Sequence, residues 1–186
     1  MLDRNSVKSI FNSYSGHVYY KIHDGTHNIA QARKLCEKDA SFLTLPMPRN
    51  EEQNDYYYNL VGGGPQTSDM WLGFSDELNE GTWLDANDEP VTWFKWGSGE
   101  PNNAHSNIGS AQGEHYVEMD LSGYSGYSSK SNLKNWNDIW FTTTLNGGFN
   151  CSGGRNRRNS ERLDCKNDNI AVCTFVLPKK SDICEF

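Results

Sequence analysis

The apolar pattern of this chain changes character once, at Gly62-Gly63-Gly64-Pro65. Before that point Ile29, Ala32, Leu35 and Cys36 recur at three- and four-residue spacing, which predicts an amphipathic helix over Asn28–Asp39. Asn50 and Gln53 stand three apart as in a capping box, so a second helix is expected from there to about Val61, ended by the glycines. Beyond the glycines, short apolar and aromatic runs alternate with turn residues: Met70–Phe74, Thr82–Leu84, Val91–Trp93, Tyr116–Leu121 and Ile170–Val176. These read as strands, as does Val18–Ile22 ahead of the first helix. Helices first and strands later indicate an α+β class, and 186 residues fit one domain with insertions.

Hydrophobic residues are only 35% of the chain, but six Trp, nine Tyr and eight Phe supply large buriable area. The expected core is therefore small and aromatic, with long polar loops. Ser122–Lys134 and Thr142–Asp164 read as insertions; the second carries Arg155, Arg157, Arg158 and Arg162 and reads as a solvated loop. A net charge of −7 argues against nucleic acid as a partner. No stretch approaches the ~18 apolar residues of a membrane span, and Met1–Ile10 lacks the apolar segment of a signal peptide. The five cysteines contain no C-x-x-C pair. In an oxidising compartment they suggest two disulfides and one leftover thiol; in a reducing one, five buried thiols. A bridge from Cys36 would close most of the chain, worth about 4–5 kcal/mol in the loop-entropy model. Asn150-Cys151-Ser152 fits a glycosylation sequon.

Several chemistries lack their signatures. There is no HExxH, no Walker A and no GxGxxG, and Gly123-Tyr124-Ser125-Gly126-Tyr127 fails GxSxG. Asp85-Ala86-Asn87-Asp88-Glu89-Pro90 starts like an EF-hand loop but has Pro90 where the sharp turn needs Gly. The five histidines show no metal-ligand spacing. No nucleophile or acid–base set is singled out, so no enzyme is expected. An oxygen-rich constellation remains. Glu100-Pro101-Asn102, Glu114 and Asn137-Asp138 offer carboxylates and amide carbonyls, the donors of a calcium shell of 6–8 oxygens.

From about Val18 to Phe175 the sequence resembles the C-type lectin-like domain. Trp71-Leu72-Gly73-Phe74 is similar to that family's central W-I-G-L strand, and Glu80-Gly81-Thr82-Trp83, Pro90-Val91-Thr92-Trp93 and Trp96 to the segments that follow. Glu100-Pro101-Asn102 resembles the E-P-N of mannose-type members, Gly113-Glu114 with Val117-Glu118-Met119 the segment carrying a third ligand, and Trp136-Asn137-Asp138 the W-N-D motif. Ile29, Ala32 and Cys36 fit the first helix, with Ile29 for the usual Trp, and Ala171-Val172-Cys173 the last strand.

The resemblance implies a C-type lectin-like fold of two helices and short antiparallel strands with long calcium-binding loops. It implies one Ca2+ on Glu100, Asn102, Glu114, Asn137 and Asp138. Glu100, Asn102, Glu114 and Asn137 would also meet vicinal hydroxyls of a mannose, glucose, N-acetylglucosamine or fucose-type sugar. An auxiliary calcium would use Asp76, Glu80 and Glu114, weakened because Asn103 and His115 stand where the family has carboxylates. A Cys36–Cys173 bridge would join first helix to last strand. The family's second bridge falls on Tyr116 and Phe141, which cannot form it; Cys151 and Cys165 would staple the insertion instead, with Cys184 left over. A register aligning Cys165 and Cys173 with the family's last two cysteines would put Ser160-Glu161-Arg162 in place of W-N-D. The expected organisation is an N-terminal extension over 1–17, the domain over 18–176 with insertions near 103–113, 122–134 and 142–164, and a tail over 177–186. Such a chain is expected outside the cell or on its surface, binding glycans as an oligomer for avidity. A protein- or ice-binding member of the same fold is the alternative.

Overall fold

The computed structural model describes residues 8–12, 16–62, 68–103, 113–121, 133–139 and 169–176. The expected Cys151–Cys165 pair, Cys184 and nearly all of the three insertions lie outside them. Two antiparallel sheets carry the fold. The first runs in the order β1 (Lys8–Asn12), β2 (Gly16–Ile22), β7 (Val172–Val176). The second runs β4 (Leu84–Asp85), β3 (Met70–Ser75), β5 (Tyr116–Met119), β6 (Trp136–Ile139). Residues 8–12, read as part of an extension, are thus the outer strand of the first sheet, Lys8 pairing with Tyr20 and Asn12 with Gly16. The sheets meet where the chain enters β7: Trp71 N–H donates to Ile170 C=O (3.2 Å) and Ile170 N–H to Asp69 C=O (2.8 Å).

The helices form where the periodicity of the first and the capping residues of the second put them. Helix α1 spans Ile29–Asp39 and buries Ile29, Ala32 and Cys36. Asn28 is its N-cap in a full capping box, Gln31 N–H donating to Asn28 Oδ1 (2.9 Å) and Asn28 N–H to Gln31 Oε1 (3.2 Å). Helix α2 spans Glu51–Leu60. Its box is half of the expected one: Gln53 N–H donates to Asn50 Oδ1, but Gln53 Oε1 accepts from Arg49 N–H, one residue earlier. The Cys36–Cys173 disulfide joins α1 to β7 with Cα atoms 5.0 Å apart.

Strand β3 explains the continuous apolar run Met70–Phe74. Met70, Leu72 and Phe74 enter a core with Tyr57 and Tyr58 of α2, Trp83, Val117, Met119 and Trp136. Trp71 enters the opposite core with Ile29, Ala32, Leu43, Leu45, Tyr116 and Ile139. A strand covered on both faces has no polar side to alternate with. Gly73 lies against the chain at Leu45–Met47; a Cβ there would come within 2.9 Å of Leu45 C=O. Val91–Trp93 does not form a strand. Val91 N–H bonds Trp83 C=O (3.0 Å), and the rings that follow pack into a cluster: Trp83 on Trp96 (5.0 Å), Trp93 on Trp136 (5.3 Å) and Trp96 on Trp136 (5.9 Å). Burying aromatic area outweighs extending a two-residue strand.

Candidate functional site

The tryptophan cluster fixes one wall of the site, because the loop leaving it is sewn to the start of β6. Trp136 N–H donates to Lys95 C=O (2.7 Å), Gly97 N–H to Trp136 C=O (2.8 Å) and Glu100 N–H to Gly97 C=O (3.1 Å). Trp136 is held from behind by Asn54, a residue of α2 that the sequence does not single out. Its Oδ1 accepts from Trp136 Nε1–H (2.8 Å) while its Nδ2 donates to Lys134 C=O (2.9 Å).

Two residues along β6, Asp138 is 1% exposed. Its carboxylate accepts from the backbone N–H of Asn102 (Oδ1, 3.0 Å) and of Asn103 (Oδ2, 2.8 Å). One buried side chain thus pins the Glu100-Pro101-Asn102 loop, whose Glu100–Pro101 peptide is cis, against the outer strand of the sheet. Asn102 Nδ2 donates to Glu100 Oε2. Burial, and then the hydrogen bond and charge of Asp138, push the Glu100 carboxyl up to about 7. Asn103, at φ +43°, accepts from Glu114 N–H through Oδ1 (2.8 Å), bringing the third expected ligand segment to the same loop. Gly113 leaves room for this contact: a Cβ there would lie 2.0 Å from Asn103 Oδ1, so the Asn103 side chain would have to move.

Glu100, Asn102 and Asp138 are therefore brought together, with Glu114 tethered through Asn103. Asn137 is placed differently. It pairs directly with Glu118 across the β5–β6 ladder, and its Nδ2 donates to Glu118 Oε1 (3.1 Å). Successive strand residues face opposite ways, so Asn137 and Asp138 leave opposite faces of β6. Glu118 is buried, accepts also from Asn169 Nδ2 (2.6 Å), and is pushed up to about 8 by burial and the nearby Asp69 charge. Asp76 and Glu80 converge with His115: His115 Nδ1 lies 3.0 Å from Asp76 Oδ1 and 3.6 Å from Glu80 Oε2. Glu114, the remaining member of the expected auxiliary set, precedes His115 and is 8% exposed.

The donor chemistry at Glu100, Asn102, Glu114 and Asp138 suits calcium. All the atoms are oxygens of carboxylates or an amide, and burial, with the neighbouring Asp138 second, raises the Glu100 carboxyl, a cost that a divalent cation would offset.

Residues 25–140 match the family model "Lectin C-type domain", and the chain belongs to that family. Two curated relatives share its sequence: human lymphocyte antigen 75, 29% identical over 97 residues (52% of this chain), and the mannose-binding protein of Gallus gallus, 36% identical over 75 residues (40% of this chain). Those matches span 5% and 27% of the relatives' own lengths. Among solved structures, the human scavenger receptor C-type lectin carbohydrate-recognition domain aligns with TM-score 0.59 at 16% identity, covering 93% of this chain and 98% of that one. The carbohydrate-recognition domain of cow CD23, solved in the presence of a GlcNAc2Man3 oligosaccharide, aligns with TM-score 0.55 at 21% identity, covering 86% and 88%. These likenesses establish the two-helix, antiparallel-sheet C-type lectin fold, in a family whose members generally bind carbohydrate and are not enzymes.

Proposed function

We propose that this chain is a calcium-dependent binding module for mannose-type sugars. The observation that supports it most is the Asp138 carboxylate, which holds the backbone of Asn102 and Asn103 and so sets Glu100, Asn102 and Asp138 in one oxygen-lined site. Glu100, Asn102, Glu114 and Asp138 would hold the ion, with Asn137 as fifth ligand. Calcium, when bound, supplies a hard Lewis acid that accepts two vicinal sugar hydroxyls. The chain's own residues decide which hydroxyls fit. Glu100 offers a carboxylate that only accepts, and Asn102 an amide whose NH2 donates. That order of acceptor and donor along the loop suits the equatorial 3- and 4-hydroxyls of mannose, glucose, N-acetylglucosamine and fucose-type sugars. The resemblance to a mannose-binding protein supports the same reading.

Single-site affinity is expected near millimolar, because few ligand atoms are buried, so several copies would be needed for useful avidity. A solved relative of the same fold is trimeric by its description. The Cys36–Cys173 disulfide suits secretion or display at the cell surface, and among the described residues no helix is long and apolar enough to cross a membrane. A glycan array run with and without a calcium chelator tests the proposal: signal on mannose-type glycans that vanishes with the chelator is expected. Signal that survives the chelator, or none on any glycan in saturating calcium, contradicts it. Exchanging Glu100→Gln with Asn102→Asp keeps the charge but reverses the donor and acceptor sides. A misplaced polar group costs about 1–3 kcal/mol, roughly 5- to 150-fold, so the double variant should shift preference toward galactose.

A further inference from the structure

The cluster of Asp76, Glu80 and His115 has a chemistry of its own. One ligand atom from each lies within 4.8 Å of the other two. His115 Nδ1 is 3.0 Å from Asp76 Oδ1 and 3.6 Å from Glu80 Oε2. A tetrahedral ion with bonds of about 2.0–2.2 Å puts its ligand atoms roughly 3.3 Å apart. Both distances lie near the edge length of such a shell.

The three side chains are also prepared to stay there. Asp76 is 1% exposed, and its second oxygen, Oδ2, accepts from Gly81 N–H (2.7 Å), which orients the first toward His115. Asp76 N–H donates to His115 C=O (3.3 Å), tying the loop after β3 to the residue before β5. Asn79 N–H bonds Asp76 C=O (3.0 Å), Thr82 N–H bonds Asn79 C=O (2.8 Å), and Asn79 Nδ2 donates to Thr82 Oγ1 (2.6 Å), so the loop carrying Glu80 is internally braced. Glu80, half exposed at its side chain, is the ligand with room to adjust.

An imidazole nitrogen does not suit calcium, which takes oxygen ligands, whereas imidazole with carboxylates suits zinc and its first-row neighbours. We propose that Asp76, Glu80 and His115 form a zinc site, held by one imidazole nitrogen and two carboxylates with a fourth position open to water or to an atom of a bound ligand. The site is independent of the calcium site at Glu100–Asp138 and stands or falls separately from it.

The test is zinc titration of the whole chain, stripped of metal and then kept in saturating calcium, against a chromophoric zinc indicator. One zinc per chain at micromolar or tighter affinity is expected, not displaced by calcium. His115→Gln should weaken it at least tenfold, while His23→Ala, which removes an imidazole elsewhere, should leave it unchanged. His115→Asp, an all-oxygen variant, should lose zinc and gain a second calcium. Cobalt in place of zinc should give the intense visible bands of a four-coordinate ion, absent in His115→Gln. Circular dichroism of each variant confirms that it is folded, and should one variant fail to fold the other His115 variant carries the comparison. Absence of saturable zinc, zinc affinity unchanged in both His115 variants, or calcium displacing zinc from the wild type would each overturn the proposal.

Discussion

Asn54 and Asp85 show how single buried polar groups set this structure. Asn54 is fully buried and uses both ends of its amide, on Trp136 and on Lys134. Asn54→Ala strands an indole N–H and a carbonyl away from water, at about 1–3 kcal/mol for each group left unpaired. Urea unfolding should show a loss in that range or its double; no loss would mean that Trp136 is held by packing alone. Asp85, 5% exposed, accepts from the N–H of Asn87 (2.7 Å) and Glu89 (3.0 Å) and from Arg49. Burial raises its carboxyl, but these bonds together outweigh burial and hold it below the ordinary Asp value. A carboxyl lowered on folding contributes stability that is complete above its unfolded value, about 3.9, and is lost as pH falls through the folded one. The stability gap between wild type and Asp85→Asn should therefore be full at pH 6, start to shrink below about pH 4 and close only as pH falls through the lower folded value. An unchanged gap would contradict the assignment. Neither residue's partner was legible from sequence. Asn54 meets a tryptophan 82 residues away, and no local spacing encodes such a pair. Glu100, Asn102 and Asp138 were legible because a resemblance carried all three at once; Asn103, which links them to Glu114, looked only like a lost carboxylate.

At the scale of elements, legibility followed length. Helix α1 is long enough to show a period and α2 is bracketed by a capping pair and glycines, and their bounds agree with the sequence reading to within a residue or two. Strand β6 is not: its four residues Trp136–Ile139 place two polar side chains between two apolar ones, and buried Asp138 defeats any alternation. Strand β1 lies ahead of the stretch whose pattern was readable. The loop joining β5 to the site makes a sharper prediction. Gly113→Ala drives a methyl into Asn103 Oδ1, so Glu114 N–H loses its acceptor or the loop shifts. Calcium affinity should fall at least tenfold while the urea midpoint barely moves, since Gly113 lies outside both cores. Equal loss in both would make Gly113 a folding residue. At α1, Asn28→Ala removes a full capping box and should cost about 0.5–2 kcal/mol, with calcium binding untouched.

For the whole molecule, the Cys36–Cys173 link and the proposed calcium are expected to organise two sheets with modest cores. Cys36–Cys173 closes 137 residues of sequence, a constraint worth about 4–5 kcal/mol in the loop-entropy model. Peptide mapping without reduction should recover Cys36 joined to Cys173, and a Cys36 peptide joined to any other cysteine would break the pairing of first helix with last strand. The central claim is that the oxygens around Asp138 bind calcium and that the sugar binds only with it. The most direct measurement is calorimetry of methyl α-mannoside on the wild type and on Asp138→Ala, in calcium and after chelation, with circular dichroism to confirm the fold. Millimolar binding to the wild type in calcium alone, and none to folded Asp138→Ala, is predicted. Binding that survives chelation, or that Asp138→Ala retains undiminished, would contradict it.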